Sequence, residues 1–270
     1  MDMQTGGFVN CGLFMIGGVA GALVVVAITR LLFKGDVLRD AHGVTGNLLA
    51  VTGTLYAVTL GLIVVDAMTR FEKAVDTVQQ ESNCLLESFH LANRLSEPAR
   101  SRVQQRCRDY AVAVVEQEWP AMAAGRTSAE ARAAMTSITR ALDGFEPISA
   151  SEQAVFPLLI EQISALWHHR RERLGTATFG IPAIEWVALF VGAAATIVFT
   201  GLFAVDNSRL HVLLTVMVAL MIGLNLYLVS LFGYPFAGDL SVSAATFRHD
   251  LAIFDEMLSA RPGGAGEPGT

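Results

Sequence analysis

Polar residues recur at every seventh position of one strongly apolar stretch, residues 45–66, which reads TGNLLAVTGTLYAVTLGLIVVD. The four residues are Thr45, Thr52, Thr59 and Asp66. Seven residues make nearly two turns of an α-helix, so these side chains share one face that drifts by about 20° per step. Hydroxyls and a carboxylate in this pattern favour one of two arrangements. They either line a water-filled path for ions, or they pack a helix against its neighbour.

Neighbouring residues widen this polar face. Tyr56 follows Thr52 by one helical turn and joins the first row, while Asn47 and Thr54 begin a second row beside it. A polar group turned toward lipid is disfavoured, so the face is predicted to point into protein or water. In the packing interpretation, each threonine hydroxyl bonds to a carbonyl of its own helix or a neighbouring one. In the conduit interpretation, both rows are candidates to line the path.

The composition indicates a membrane protein. Of the 270 residues, 53% are hydrophobic and only 16% are charged, whereas soluble domains have about a quarter charged residues. The net charge of −6 argues against nucleic acid as a partner. The three cysteines lack the spacing of a disulfide framework or a zinc site. Sequence motifs for nucleotide binding, hydrolysis or metalloprotease chemistry are absent, so we expect neither an enzyme nor a cofactor or metal.

The predicted fold is all-α, with four transmembrane helices. Each predicted span is longer than the roughly 20 apolar residues that cross a bilayer. The spans cover residues 8–33, 44–68, 183–205 and 210–233. Short links join the first two and the last two, which predicts two helical hairpins with a helical domain inserted between them. The predicted organisation is two spans within 8–68, a domain at 69–181, two spans within 182–234 and a tail at 235–270 that is disordered at its end.

Apolar spacing and capping signals predict the helices of the inserted domain. They cover residues 44–94, 96–119, 128–143 and 150–174. The first is continuous with the second span, because no helix breaker separates the two. Ser96 is a predicted N-cap, and the pairs Thr127 with Glu130 and Ser149 with Glu152 have the spacing of a capping box.

Charged residues cluster at the edge of the membrane that adjoins the inserted domain. Asp66 and Glu185 lie there, near Arg70 and Arg173 in depth. Two interpretations remain open: interfacial ion pairs, or a ring of charge at a pore entrance. An acidic ring alone would favour cations. The run HHRR at residues 168–171 is predicted to be a basic cluster beside anionic headgroups.

Several stretches taken together resemble the bestrophin-like family of bacterial membrane proteins. They are LYAVTLGLIVV, RFEKAVDTVQQE, EWP, RRERL and YPFAGDLSVS, and the resemblance covers residues 40–255. It implies a relation to bestrophins, which are pentameric anion channels with four spans and a cytosolic helical domain between the pairs. Their pore is lined by the second span. The resemblance therefore implies a bacterial inner-membrane protein whose N-terminus, 70–180 domain and tail are cytoplasmic. Its implied partners are the lipid bilayer, further copies of itself (a pentamer by analogy) and small inorganic ions.

Two departures from bestrophins bear on function. Pro235, Phe236, Gly238 and Asp239 carry the start of the stretch that binds calcium in bestrophins, but the run of acids that should follow is missing. Calcium takes six to eight oxygens, so calcium gating is not expected here. The bulky apolar neck of a bestrophin pore is replaced by the threonine-rich row, with leucines on the adjacent face, and either row is a candidate for the lining.

Two functions follow from the sequence. The first is a passive ion channel that favours anions, with the second span lining its path. The second is a non-conducting scaffold or signalling protein, in which the polar rows form a packing seam and the 70–180 domain is presented to a partner.

Overall fold

The computed structural model of the chain describes residues 3–32, 42–203 and 207–260. The described part is all-helical and contains no strand, as the sequence predicts. Its helices are α1 (Met3–Leu32), α2 (His42–Ala92), α3 (Ala99–Ala113), a π-helix (Val114–Glu118), α4 (Trp119–Ala123), α5 (Ala129–Arg140), α6 (Ala150–Thr178), α7 (Ala183–Leu202), α8 (Ser208–Gly233) and α9 (Ala245–Ser259). Most of the predicted 34–43 loop and the predicted disorder at the end of the tail lie outside the described residues.

Four stretches are long and apolar enough to cross a membrane, and they lie in α1, in α2, in α6–α7 and in α8. The chain also divides into two compact units. Unit 1 comprises Met1–Phe71 and Phe179–Leu240, and unit 2 comprises Glu72–Thr178 and Ser241–Thr270.

Helix α2 is the longest helix described, with 51 residues. At 1.5 Å per residue it measures about 75 Å. It contains no proline, and its apolar residues continue past the membrane-length stretch without a helix breaker. The predicted continuous helix is therefore confirmed, with bounds two residues earlier at each end.

The core of unit 1 joins α2 to α7 and α8. Its buried apolar residues are Tyr56, Leu60, Ala67, Ile181, Leu189, Ala193, Ile222, Leu226 and Val229. The approach of α2 to α7 is close at Gly192, where a Cβ atom would overlap the ring of Tyr56. A glycine at this position therefore leaves room for the tyrosine ring.

Helix capping in unit 2 follows the sequence at one site and departs from it at another. The capping box at Ser149 and Glu152 is confirmed, since each side chain accepts from the other's amide at 3.1 and 2.9 Å. Thr127 is not a cap. Ser128 has the extended backbone that a cap requires, and its Oγ accepts from the Ala131 amide at 3.1 Å.

The predicted helix from Ser96 to Trp119 is divided into three pieces. Its first piece starts at Ala99, and the Ser96 amide instead donates to Glu152 Oε1 at 3.0 Å. A π-helix follows, in which the Trp119 amide donates to the Val114 carbonyl five residues earlier. Pro120, next along the chain, has no amide hydrogen, so an undisturbed α-helical ladder could not continue through it.

Candidate functional site

The first polar row of α2 changes environment along the helix. Thr45 is only 8% exposed, Thr52 is half-buried, and Thr59 and Asp66 are exposed. The drift of about 20° per heptad explains this change, because three heptads turn the row by about 60° relative to a straight packing face. One row therefore begins against the protein and ends on an open surface.

Tyr56 belongs to the packing face rather than to an open surface. It is 7% exposed, and its ring lies against Gly192 of α7. Its hydroxyl has no hydrogen-bond partner among the described residues. The aromatic ring therefore contributes to packing, while the hydroxyl gains nothing from burial.

The exposed threonines of α2 satisfy their hydroxyls within their own helix. Thr54 donates to the Ala50 carbonyl at 2.8 Å, and Thr59 donates to the Leu55 carbonyl at 3.0 Å. Asn47, in the same second row as Thr54, is also exposed. A hydroxyl bonded in this way still presents oxygen lone pairs outward, so it tolerates an apolar neighbour and can also contact water or an ion.

An apolar strip accompanies these polar residues on the outside of α2. Its members are between 47% and 68% exposed in the single chain, and they are Leu48, Val51, Leu55, Val58, Leu62 and Val65. In a membrane-spanning helix such a strip faces lipid or another copy of the chain. The leucine row that the sequence singled out thus lies on the open side of α2.

The charged residues predicted at the membrane edge lie in different environments. Asp66 and Arg70 form an ion pair of 2.6 Å, one turn apart on α2. Glu185 lies in the first turn of α7, and its Oε2 is buried without a hydrogen-bond partner among the described residues. Arg173 is not an exposed edge charge. It is buried in unit 2, where it binds Glu81 and Glu118.

A groove of about 760 Å³ opens in unit 1 between α2, α7 and α8. Thr54 lies in its wall, together with Thr196 and Thr200 of α7 and His211 of α8. The second polar row therefore reaches this groove on one flank of α2, while Thr59 and Asp66 of the first row are absent from its lining.

A histidine–arginine contact adjoins this groove and was not predicted from the sequence. His211, 2% exposed, contacts an Arg30 guanidinium nitrogen through Nδ1 and the Thr200 carbonyl through Nε2, at 2.9 Å. Arginine can only donate, so Nδ1 accepts, and the proton sits on Nε2. Arg30 also donates to Ser208 Oγ at 3.2 Å. The histidine was visible in the sequence, but its partner lies 181 positions away.

Unit 2 contains a buried cluster of two arginines and two glutamates. Arg173 donates to Glu81 at 2.6 and 2.9 Å and to Glu118 at 2.7 Å. Arg170 donates to Glu118 at 2.5 Å. Tyr110 donates its hydroxyl proton to Glu81 at 2.5 Å. Two positive and two negative charges balance, and each carboxylate accepts several bonds, which is the condition for burying such groups at tolerable cost.

This cluster joins three of the five stretches on which the family resemblance rests. Glu81 ends RFEKAVDTVQQE, Glu118 begins EWP, and Arg170 and Arg173 belong to RRERL. The guanidinium of Arg173 also lies over the ring of Trp119, 5.2 Å from its centroid. The residues of EWP therefore provide a carboxylate, an aromatic face and the proline that follows the π-helix. Arg170, predicted to face lipid headgroups, is buried instead.

A sequence signal for this cluster exists. Residues 159, 163, 166, 170 and 173 of α6 follow one helix face, and all five are buried. Residues 74, 78, 81 and 85 of α2 do the same. Arg170, Arg173 and Glu81 thus occupy core positions of otherwise apolar stripes. An arginine pair in one stripe and a glutamate in another predict a buried pairing.

Burial changes the proton affinity of further groups in unit 2. It raises the pKa of the Tyr110 hydroxyl well above its usual value, and the nearby Glu81 charge adds to the effect. Tyr110 therefore stays a donor to Glu81. Burial also raises the pKa of the Cys107 thiol, which makes it a small core residue rather than a nucleophile.

The segment after α8, which includes Pro235 and Gly238, forms a turn. The helix ends at Gly233, two residues before Pro235, and the Ala237 amide donates to the Tyr234 carbonyl at 3.1 Å. Gly238 has φ +85°, a conformation that favours glycine. Phe236 is buried, and Asp239 accepts a long bond from Tyr227. Across the described residues, no group of three or more His, Cys, Asp or Glu is placed to hold a metal ion.

These features define a class: an all-helical membrane protein whose second long helix runs from the membrane unit into a second helical unit. The chain belongs to the bestrophin-like family, whose domain model matches residues 16–247. No curated protein sequence matches the chain.

Solved structures share this fold. A single-substitution variant of a bacterial bestrophin homologue from Klebsiella pneumoniae has a TM-score of 0.66 at 11% identity, covering 92% of this chain and 99% of that one. Another structure of the Klebsiella pneumoniae homologue has a TM-score of 0.63 at 13% identity, with 93% and 99% covered. At these identities the likeness concerns the fold alone.

Proposed function

We propose that this protein is a passive ion channel that favours anions and that assembles as a symmetric homo-oligomer around a path lined by α2. Three observations support it: membership of the bestrophin-like family, four candidate membrane spans, and a long α2 whose outer face is open along its membrane-length portion. The inserted domain and the tail are cytoplasmic in this proposal, and the membrane is the bacterial inner membrane.

The preference for anions follows the resemblance to bestrophins, and the Asp66–Arg70 pair is the observation that removes the charge opposing it. An unpaired ring of aspartates at a pore mouth would attract cations and repel anions. Arg70 holds its guanidinium 2.6 Å from the Asp66 carboxylate, so each copy presents a neutral pair at this level of α2. Symmetric repetition of a neutral pair creates no cation-selective ring.

Exposure narrows the candidates for the lining. A residue that lines a path between copies must be open in the single chain. Thr59, Asp66, Asn47 and Thr54 meet that condition, as does the accompanying apolar strip. Thr45 and Tyr56 are packed inside unit 1 and support the helix instead.

The test is ion flux from liposomes that contain the purified protein, measured under separate chloride and potassium gradients. We expect chloride flux well above that of empty vesicles, and less potassium flux. Arg70→Gln leaves Asp66 unneutralised and should shift the preference toward cations. Arg171→Gln, an exposed arginine of unit 2, is the matched control. Absence of flux under both gradients contradicts the proposal.

Water access separates the channel from the non-conducting scaffold. In a background without the native cysteines, Thr59→Cys should react with a water-soluble thiol reagent in intact membranes. Ala67→Cys, 1% exposed on the same helix, should not react. An unreactive Thr59→Cys combined with absent flux would favour the scaffold, in which unit 2 is presented to a partner.

A further inference from the structure

We propose that the groove between α2, α7 and α8 binds an anionic phospholipid, with an acyl chain along the groove and the phosphate at Arg30 beside His211. This site does not rest on the channel proposal, but a bound lipid would cover Thr54 and leave Thr59, Asp66 and Asn47 as the polar candidates for the lining.

The walls of the groove suit an acyl chain. Its α2 side consists of Leu49, Ala50, Gly53, Thr54, Ala57 and Val58. The three small residues among them contribute to the concavity. A Cβ atom added at Gly53 would meet nothing within 4 Å, which shows that the space is open. The groove is therefore wide enough for a ligand without moving a side chain.

The polar atoms in the wall do not call for water. Thr196 donates to the Gly192 carbonyl at 2.8 Å, and Thr200 donates to the Thr196 carbonyl at 2.8 Å. His211 is held by Thr200 and Arg30 on its two ring nitrogens. A wall whose hydrogen-bonding groups are already satisfied accepts an apolar ligand without an unpaired polar group.

The residues around His211 are cationic. The imidazole accepts from Arg30 and is neutral, so it leaves the arginine charge uncompensated. Arg209 is exposed in the first turn of α8, and within the described ranges no carboxylate lies at ion-pair distance from either arginine. The N-terminus of α8 adds its partial positive charge.

An anionic phospholipid matches both the apolar wall of the groove and the cationic residues near His211. Arginine binds phosphate by charge-assisted hydrogen bonds, and the hydrocarbon boundary is where a phospholipid carries its phosphate. A zwitterionic lipid brings the same phosphate with an added cation, which two arginines and a helix N-terminus oppose. Charge complementarity therefore selects phosphatidylglycerol over phosphatidylcholine as the probe.

The acyl-chain test uses a matched pair of glycine substitutions on α2. Gly53→Leu fills the groove, whereas Gly61→Leu adds the same side chain at an open position outside it. Native mass spectrometry of the full chain, released from nanodiscs containing equal phosphatidylglycerol and phosphatidylcholine, counts the retained lipids. We expect several-fold less retained phosphatidylglycerol for Gly53→Leu and no change for Gly61→Leu. Ala57→Phe serves as a second filler if Gly53→Leu folds poorly.

The headgroup test uses Arg30→Gln. The variant should lose most of the phosphatidylglycerol preference while still retaining lipid in the groove, and Arg171→Gln should keep the preference. Equal retention of both lipids by the unmodified protein overturns the proposal. So does unchanged lipid retention in both groove-filling variants. A change of oligomeric state in those variants without lipid loss would mean that a second copy occupies the groove, and it also overturns the proposal.

Discussion

The threonine hydroxyls of unit 1 and the buried charged side chains of unit 2 find their hydrogen-bond partners in different ways. In unit 1 the threonine hydroxyls donate to carbonyls one turn back in the same helix, as at positions 54, 59, 196, 200 and 215. In unit 2 the buried charged side chains join segments that are far apart in sequence, since Arg173 reaches Glu81 across 92 positions and Glu118 across 55. Local bonds place no demand on a neighbour, whereas long-range bonds fix one arrangement.

This contrast separates two roles. A hydroxyl that bonds to its own helix is stable beside lipid, a path or another copy, so the open face of α2 can serve a function without endangering the fold. A buried ion-pair cluster cannot lose one member without leaving a charge uncompensated. Three of the five family stretches, RFEKAVDTVQQE, EWP and RRERL, therefore supply the residues on which the structure of unit 2 depends, while the candidate functional surface lies in unit 1.

The largest effect is expected when the cluster in unit 2 loses its central cation. Arg173→Met keeps most of the side-chain volume and leaves two glutamates buried with only Arg170 beside them. We expect the free energy of unfolding to fall by about 3–5 kcal/mol, the usual cost of breaking a buried pair. The measurement is denaturant unfolding of the protein in detergent.

Arg171→Met is the control for this change, because Arg171 is the exposed neighbour on the same helix. It should alter stability by less than about 0.5 kcal/mol. Adding Glu81→Gln to Arg173→Met should restore part of the loss, because it removes one of the uncompensated charges. An Arg173→Met protein as stable as the Arg171→Met protein would show that the cluster does not hold unit 2 together.

Replacing one buried tyrosine in each unit by phenylalanine compares how much a buried hydroxyl contributes to stability in the two units. Tyr110→Phe removes a hydroxyl that donates to Glu81 at 2.5 Å, and we expect a loss of about 1.5–3 kcal/mol, as for hydrogen bonds to charged groups. Tyr56→Phe removes a buried hydroxyl without a partner in the described structure, so stability should stay constant or rise. The same unfolding experiment measures both. Equal losses for the two variants would contradict the distinction between the units.

Local patterns in the sequence were sufficient for much of the fold. The continuous α2 followed from an apolar pattern without a breaker, and the capping box at Ser149 followed from a spacing of three residues. Both depend on neighbours in the chain. The Thr127 cap was wrong by one residue, because the next hydroxyl residue, Ser128, occupies the cap position with the required extended backbone.

Long-range pairings could not be predicted in the same way. Arg173 lies in a run of basic residues, which suggested a membrane edge. The helix stripes that contain Arg173 and Glu81 indicate a buried pairing, but nothing in the chain indicates that Glu118 joins it. The Arg30–His211 contact likewise joins two spans distant in sequence. The site candidates on α2 were identified by periodicity, but their exposure depends on which face α7 and α8 cover, which periodicity alone does not determine.

A smaller effect is expected from pH at Asp250 of unit 2. Burial raises the pKa of this carboxyl, against the opposing hydrogen bond from Ser82. The folded state then holds the proton at pH values where the unfolded chain has lost it. The contribution of Asp250 to stability is therefore fully present below the unfolded pKa of about 3.9 and falls as the pH rises toward the folded pKa, with a slope of at most about 1.4 kcal/mol per pH unit.

Asp250→Asn removes this titration and can still accept from Ser82. Relative to the unmodified protein, its stability should increase from about pH 4 upward, to the point where the native carboxyl has ionised. Thermal unfolding at a series of pH values measures the difference between the two proteins, which cancels the titration of all other groups. Parallel curves would mean that Asp250 ionises alike in both states.

The smallest effect is expected in the polar row of α2. Thr59→Val removes a hydroxyl that bonds only to the Leu55 carbonyl of its own helix, and that carbonyl keeps its α-helical bond. The change in unfolding free energy should stay within about 0.5 kcal/mol, as for exposed substitutions away from a packed site. The same substitution should lower ion flux if the hydroxyl faces the path. At Thr59 we therefore expect a change in ion flux without a change in stability. At Arg173 the two cannot be distinguished, because a protein that loses its fold also loses flux. A Thr59→Val protein that is destabilised by 2 kcal/mol or more, on the scale of a lost buried hydrogen bond, would place this threonine in a tertiary contact and remove it from the proposed lining.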